Sequence, residues 1–376
     1  MQYSEYDLGE LLPFEQPTAY IVKSTDYSDA YATPVLTAGK SFILGKTNET
    51  DGIFDQLPVI IFDDFTTATQ FVNFRFKVKS SAMKILHINT DLVIPKYIFY
   101  RLQIIQFDHS THKRYWIQSY SKIKVLIPPL DEQSRIVTRI DELFSELDKA
   151  VDTLKTTKEQ LEVYRQAVLK EIFDSVSTTS VHIKDVCLDI KVGIVIKPTQ
   201  YYVSENGVPA FRNANVRRGY INDTDWVMIS KEGHQQNCRS EVHTNDVLIS
   251  RSGANLGMAS VVPARYNGYN AIDVVIAVPD ISKVIPEFLA QYTNSPMGRA
   301  IVKKNERGAA QGHLNVSAYA NLPIGVPDLQ EQEKLVKQIS DRLSVCDSIE
   351  KTVDTALAQA DAMRQSILKQ AFEGTL

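Results

Sequence analysis

Cysteine is scarce. The 376 residues hold three, Cys187, Cys238 and Cys346, far apart and without a CxxC pair, so neither a disulfide framework nor a zinc knuckle is signalled and buried thiols are expected. No run of about 18 apolar residues occurs, which excludes a helix that crosses a bilayer. The opening MQYSEYDLGELL lacks a basic stretch followed by an apolar one, so no secretion signal is read and a cytoplasmic location is expected. Phosphate-binding loops are missing as well: there is neither GxxxxGK followed by Ser or Thr nor GxGxxG, which removes ATP and dinucleotide chemistry. The Asn/Asp-Pro-Pro-aromatic signature of adenine methylation is absent, because Pro128-Pro129 stands between Ile127 and Leu130. No acidic-x-Lys element follows Pro279-Asp280 to build a nuclease; Asp189-Ile190-Lys191 precedes it. His109 and His112 form an HxxH with no Cys or acidic ligand motif nearby, so no metal is expected. A chain with so little catalytic equipment is expected to be no enzyme and to carry no cofactor of its own.

Charge is nearly balanced, at −4 overall, but unevenly placed. Residues 1–125 and 181–326 carry 28 Lys and Arg against 25 Asp and Glu, whereas 126–180 and 327–376 carry 13 against 20. The acidity therefore lies in two segments, and the mildly basic remainder leaves a DNA partner electrostatically allowed.

Those two acidic segments are copies of each other. Residues 128–174 align without a gap on 327–373, and about a third of the positions are identical. Several identities are polar, among them Glu132/Glu331, Gln133/Gln332, Arg165/Arg364, Gln166/Gln365 and Lys170/Lys369, so core packing alone does not explain them. Each copy is led by proline and then free of Gly and Pro, which predicts a helix of more than 40 residues. Its apolar period is seven, as in a coiled-coil seam. One row runs Ile140, Leu147, Leu154, Leu161, Val168, beside a second of Ile136, Leu143, Ala150, Thr157, Tyr164. The second copy has Ile339, Cys346, Val353, Ala360, Ile367 beside Leu335, Arg342, Ile349, Ala356, Met363. The order domain, helix, domain, helix makes the pair antiparallel if it forms within one chain.

The expected division is 1–127, a first globular domain; 128–180, a central long helix; 181–326, a second domain; and 327–376, a C-terminal long helix. Within the domains, apolar stretches such as VIIFDDF and DVLIS alternate with Gly, Asn and Pro breaks, so each is expected to mix short strands with a few helices, an α+β chain with a pseudo-twofold repeat. VIPKYIFYRLQ (93–103) parallels VIPEFLAQYTN (284–294), each a proline-started helix late in its domain.

The junctions VLIPPLDEQSRIV (125–137) and LPIGVPDLQEQEKLV (322–336), with DVLISRSGANLG (246–257), RGAAQGHLN (307–315) and PVIIFDDFTTATQFV (58–72), resemble the specificity subunits of type I restriction-modification systems. The resemblance covers essentially the whole chain. It implies two target recognition domains separated by two conserved antiparallel coiled-coil helices, double-stranded DNA as a ligand, and a bipartite target whose unread central base pairs are counted by the helices. It further implies two methyltransferase (M) subunits and two restriction/motor (R) subunits as partners, with S-adenosylmethionine, ATP and Mg used there, and no membrane.

If DNA is the ligand, cations suit phosphates while Arg, Asn and Gln suit base edges. Residues 211–220 offer Arg212, Asn213, Asn215, Arg217, Arg218 and Tyr220; a solvated loop is the plainer alternative. Arg251 and Ser252 follow the strand DVLIS in a glycine-containing turn. Residues 303–315 add Lys303, Lys304, Arg307, Gln311 and His313 around two glycines. In the first domain, 63–70 is a polar loop with Thr66, Thr67, Thr69 and Gln70, and 109–116 ends on Lys113, Arg114, Tyr115 and Trp116, either a basic-aromatic contact or a helix end with a packed Trp. A coiled-coil scaffold, or an orphan specificity subunit without independent sequence-specific activity, remains the alternative function.

Overall fold

The computed structural model describes residues 3–37, 41–107, 114–305 and 313–376. The chain divides into two compact units: Met1–Leu154 with Thr355–Leu376, and Lys155–Asp354. The cut passes through both long helices, so each unit holds one mixed domain and one half of each helix.

The first domain runs β1 (Ser4–Asp7), α1 (Leu8–Leu11), β2 (Phe14–Glu15), β3 (Thr33–Leu36), β4 (Ile43–Thr47), β5 (Val59–Asp63), β6 (Thr69–Val72), β7 (Lys77–Val78), β8 (Met83–His87), α2 (Pro95–Leu102), α3 (Tyr115–Gln118) and β9 (Lys124–Ile127). Its larger sheet has the order β2-β8-β5-β6, its smaller one β4-β3-β7, and β1 pairs with β9. The fully buried run Val59–Phe62 on β5 forms the centre, packed on one face by Leu8, Leu86, Tyr97 and Trp116 and on the other by Val72, Phe76 and Ile85. Pro95 starts α2 because its missing N–H and fixed φ cost nothing in a first turn.

The long helix α4 (Leu130–Asp174) follows, and the second domain repeats the plan. It runs β10 (Ser180–His182), β11 (Cys187–Val192), β12 (Tyr202–Val203), β13 (Val208–Phe211), β14 (Val227–Ile229), α5 (Lys231–Gln236), β15 (Val247–Ser250), β16 (Ala259–Val261), β17 (Asn270–Ala271), β18 (Val274–Pro279), α6 (Pro286–Asn294), α7 (Pro296–Asn305), α8 (Val316–Ala320) and β19 (Pro323–Gly325), before α9 (Leu329–Glu373). The sheets β11-β18-β15-β16 and β12-β14-β13-β17 and the pair β10–β19 correspond to those of the first domain. The larger sheets share a strand order despite dissimilar sequences, and the smaller sheet of the second domain differs by one added strand, β12.

Each long helix has 45 residues. Asp131 and Glu132 sit in the first turn of α4, where carboxylates complement the helix dipole, and Asp328 caps α9 by accepting the Glu331 N–H at 2.9 Å. Gly374, at φ +72°, ends α9 in the left-handed turn that glycine favours. The helices pair antiparallel within both units. In the first, Ile140 packs on Leu368 and Ala371 and Arg364 meets Asp148; in the second, Lys158 meets Asp354, Arg165 meets Asp347 and Glu350, and Arg342 meets Glu171. Because 165 aligns with 364 and 148 with 347, the Arg165–Asp347 pair is the repeat of the Arg364–Asp148 pair. This accounts for two of the polar identities. The Arg342 guanidinium also holds the Glu171 carboxyl below the usual carboxylate range.

The expected first row is the seam. Ile140, Val168, Ile339, Cys346, Val353 and Ala360 are buried, and Leu147, Leu154, Leu161 and Ile367 half-buried. The second row is covered only in part: Leu335 is buried and Ile136, Leu143, Thr157, Arg342 and Ala356 half-buried, whereas Ala150, Tyr164, Ile349 and Met363 are exposed at the edge of the contact between the two helices. The thiols also differ from expectation, since Cys238 is exposed, Cys346 buried and Cys187 half-buried, with burial pushing the Cys187 thiol up to about 12 and so keeping it protonated. Among the described residues no helix is long and apolar enough to cross a membrane, and no cluster of His, Cys, Asp and Glu is placed to hold a metal. His109 and His112 lie outside the described residues.

Candidate nucleic-acid interface

The loops chosen from sequence fall on the same place in both units. Residues 63–70 form the turn between β5 and β6, and Arg251–Ser252 open the turn between β15 and β16, the corresponding hairpin. On each turn rests a segment from later in the domain. The Tyr115 N–H donates to the Asp64 carbonyl at 3.0 Å in the first unit, and the Leu314 N–H donates to the Arg251 carbonyl at 2.9 Å in the second. Four sequence stretches thus become one device, built twice.

In the second unit the device is stitched by Asn213. Its Oδ1 accepts from the Arg251 N–H at 2.6 Å and from the Ser250 hydroxyl at 3.0 Å, and its Nδ2 donates to the Ser252 hydroxyl at 2.9 Å. Loop 212–222 is therefore fastened to the β15–β16 turn. Arg251 donates to the Leu314 carbonyl at 3.0 Å and to Asp273 at 2.7 Å, and His313 lies exposed with Nδ1 4.0 Å from Asp273. Arg212 donates to the Asp225 carbonyl at 2.6 Å, Arg217 to the Asn255 side chain and Arg218 to Glu162 on α4. All three guanidiniums are half-buried and already engaged, so they brace the loop. Tyr220, 61% exposed at its far end, has the open face.

Asn215 does not meet solvent. It is fully buried, accepts the Arg212 N–H at 2.9 Å, and donates to the carbonyls of Asn222 at 3.1 Å and Thr224 at 2.9 Å. A buried amide with such partners closes the loop on itself and has nothing left for a base.

In the first unit, Asp63 accepts the Phe65 N–H at 2.9 Å and the Thr66 hydroxyl at 2.7 Å, and Thr67 takes φ +56°, which together make the tight turn. Thr66 and Gln70 are exposed and Thr67 half-buried, beside an exposed Phe65 that polarity-based reading passed over. Thr69 is buried instead, where its hydroxyl accepts from Gln103 at 2.5 Å. Trp116 is likewise overturned as a contact. It is 1% exposed and packs on Phe62 and Tyr120, with ring centroids 4.9 and 5.9 Å away, which makes it core. Arg114 beside it is exposed. Lys113, Arg307 and Gln311 lie outside the described residues, as do the side chains of Lys303 and Lys304.

The two copies differ in charge at their centre. Asp64, buried, pairs with buried Lys84 at 3.2 Å, while the corresponding turn residue in the second unit is Arg251, paired with Asp273. One frame thus carries two chemically different centres.

Residues 169–359, half of the chain, match the model of the type I restriction modification DNA specificity domain, and the chain belongs to that family. Among curated relatives, it is 45% identical over 174 residues to the type I restriction enzyme EcoR124I/EcoR124II specificity subunit of Escherichia coli, a match that covers 43% of each chain. It is 28% identical over 274 residues to the EcoBI specificity subunit of Escherichia coli, which covers 66% of this chain and 58% of that one. The chain thus spans about half the length of the curated relatives it matches. A chain solved in work on complex assembly and conformational transition of the type I R-M system superposes with a TM-score of 0.65 at 19% identity, over 100% of this chain and 98% of that one. The fold is shared from end to end.

Proposed function

We propose that this chain is the subunit that reads a bipartite double-stranded DNA sequence for a type I restriction-modification complex, each unit reading one half through its hairpin turn and the segment resting on it. The observation that carries this reading is the repeated device: one strand order and one pair of backbone contacts, presented with different side chains in the two units. Two unlike readers on a duplicated frame suit a target with two unlike halves. The paired helices set the number of unread base pairs between them, as half-site spacing is set by geometry in other two-part readers. The chain has no chemistry of its own in this reading. It positions two methyltransferase subunits, which use S-adenosylmethionine, and two restriction/motor subunits, which use ATP and Mg, in the cytoplasm where the DNA lies.

An electrophoretic shift assay with the chain bound to its methyltransferase partner tests this. The expected result is tight binding to a duplex bearing the site found by mapping methylated adenines, and weak binding to a scrambled duplex. Equal binding to both would leave a scaffold without sequence-specific contact. Tyr220→Ala is expected to weaken the specific complex by about 1–3 kcal/mol, the scale of a direct base contact. Removing one heptad from each helix, 153–159 together with 352–358, is expected to shorten the unread stretch by about three base pairs, since seven residues rise about 10 Å. The mapped half-sites should be unchanged, and an altered half-site would refute the spacer role.

A further inference from the structure

Among the described residues, the most exposed large apolar side chain is Ile196, at 76%, and its neighbour Val195 is 45% exposed. Single exposed apolar residues are ordinary on protein surfaces, so exposure alone says little. What distinguishes this pair is how firmly it is held out. Directly before it, Ile194 is buried with Ala210, Ile229 and Ile272. The Gly193 N–H donates to the Val274 carbonyl at 2.9 Å, the Ile194 N–H to the Ala271 carbonyl at 2.8 Å, and the Asp273 N–H to the Ile194 carbonyl at 3.1 Å. The backbone passes so close that a Cβ on Gly193 would lie 2.4 Å from the Ala271 carbonyl oxygen. Directly after it, Lys197 takes a left-handed φ of +45° and Pro198 starts a 3-10 turn through Tyr201. Val195, Ile196 and Lys197 thus form a rigid three-residue tip, with two apolar side chains and one exposed cation held clear of the domain.

The tip grows out of the recognition device. Asp273, whose N–H holds Ile194, is the partner of Arg251 at 2.7 Å and lies 4.0 Å from His313, and the Ile272 N–H donates to the Phe211 carbonyl at 2.8 Å, at the start of loop 212–222. A stiff apolar point with a flanking lysine, beside polar loops, has the chemistry of a side chain that enters a groove and presses between base steps while the cation meets the adjoining phosphate. A pre-ordered tip also loses little conformational freedom on insertion.

We propose that Val195 and Ile196 form an apolar wedge that inserts into a groove of the DNA at the half-site of the second unit, with Lys197 on the neighbouring phosphate. This rests on the reading of the loop cluster as a DNA-facing surface. The test uses the full chain with its methyltransferase partner and two probes, the duplex bearing the mapped site and a scrambled duplex of equal length. Ile196→Ser is expected to weaken binding to the site about tenfold, while the slope of log K against log salt stays unchanged, because an apolar contact displaces no counterion. Ile196→Leu should bind like the parent chain. Lys197→Ala should lower the salt slope by about one. With 2-aminopurine at the base steps of that half-site, the parent complex should show the fluorescence rise of an unstacked base, and Ile196→Ser should not. If Ile196→Ser binds as tightly as the parent while Tyr220→Ala weakens the complex, the wedge is refuted and the loop cluster stands as the reader. If neither variant changes affinity, the reading of the cluster itself fails. If Ile196→Ser instead loses the methyltransferase subunit with DNA affinity intact, the tip is a protein contact and the wedge is refuted.

Discussion

Asp64→Ala is expected to destabilise the first unit by about 3–5 kcal/mol, the scale for breaking one side of a buried ion pair. The carboxylate and Lys84 are both almost wholly buried, 3.2 Å apart, and among the described residues Lys84 Nζ makes no hydrogen bond. Among the described residues its other charge-compensating contact is the face of the Phe14 ring, 5.7 Å from Nζ. Alanine would strand an ammonium in the core and also remove the acceptor of the Trp116 backbone N–H at 2.8 Å. Unfolding in urea, followed by Trp116 fluorescence in a Trp226→Phe background, measures the loss. Adding Lys84→Met should return most of it, because removing both charges takes away the desolvation cost together with the attraction. A single variant within about 1 kcal/mol of the parent chain would show that Lys84 finds water or another partner. The effect should reach beyond stability, since Asp64 ties the β5–β6 turn to the segment at 114–116.

The long helices were legible because their signal is local and repeated: a seven-residue period without Gly or Pro predicts the same answer at every turn. The position of the candidate loops was legible too, since polar runs between apolar strands must turn at a surface. Which side chains of those loops face outward was not. Asn215 and Thr69 are as polar as the exposed Thr66 and Gln70, but their partners are the carbonyls of Asn222 and Thr224 and the side chain of Gln103, and only the folded chain brings these near. Trp116 beside Arg114 has the composition of a nucleic-acid contact; its burial depends on Phe62, far away in sequence. Val195 and Ile196 are hidden for the opposite reason. IVIK follows the alternating strand β11 after the single residue Gly193 and reads as its continuation, whereas in the fold Ile194 is captured by the bridge to Ile272. Local pattern identifies elements, whereas long-range partners decide which residues are scaffold and which are surface.

The polar identities of the repeat lead to the second large effect. Gln133 and Gln332 are fully buried near the start of α4 and α9 and make the same three bonds. Gln133 accepts the Ile94 N–H at 2.8 Å and donates to the carbonyls of Leu92 and Pro128, both at 2.9 Å. Gln332 accepts the Ile285 N–H at 2.8 Å and donates to the carbonyls of Lys283 at 2.9 Å and Pro327 at 2.8 Å. Each amide thus satisfies one donor and two acceptors just before the domain helix and at the entry to the long helix, pinning one to the other. Removing it leaves up to three buried backbone groups unpaired, each worth about 1–3 kcal/mol if water cannot replace the bond. Gln133→Ala and Gln332→Ala are therefore each expected to cost about 2–4 kcal/mol in their own unit, measured by urea unfolding with Trp116 reporting the first unit and Trp226 the second. Gln→Glu at either position should cost more than alanine at neutral pH, because it turns the donating group into a charged acceptor facing two carbonyls. Near-equal losses at the two positions are required if the duplicated junction has kept one mechanical task while the domains around it diverged. A large loss at one and none at the other would show that only a single junction still fixes the angle at which a domain meets its helix.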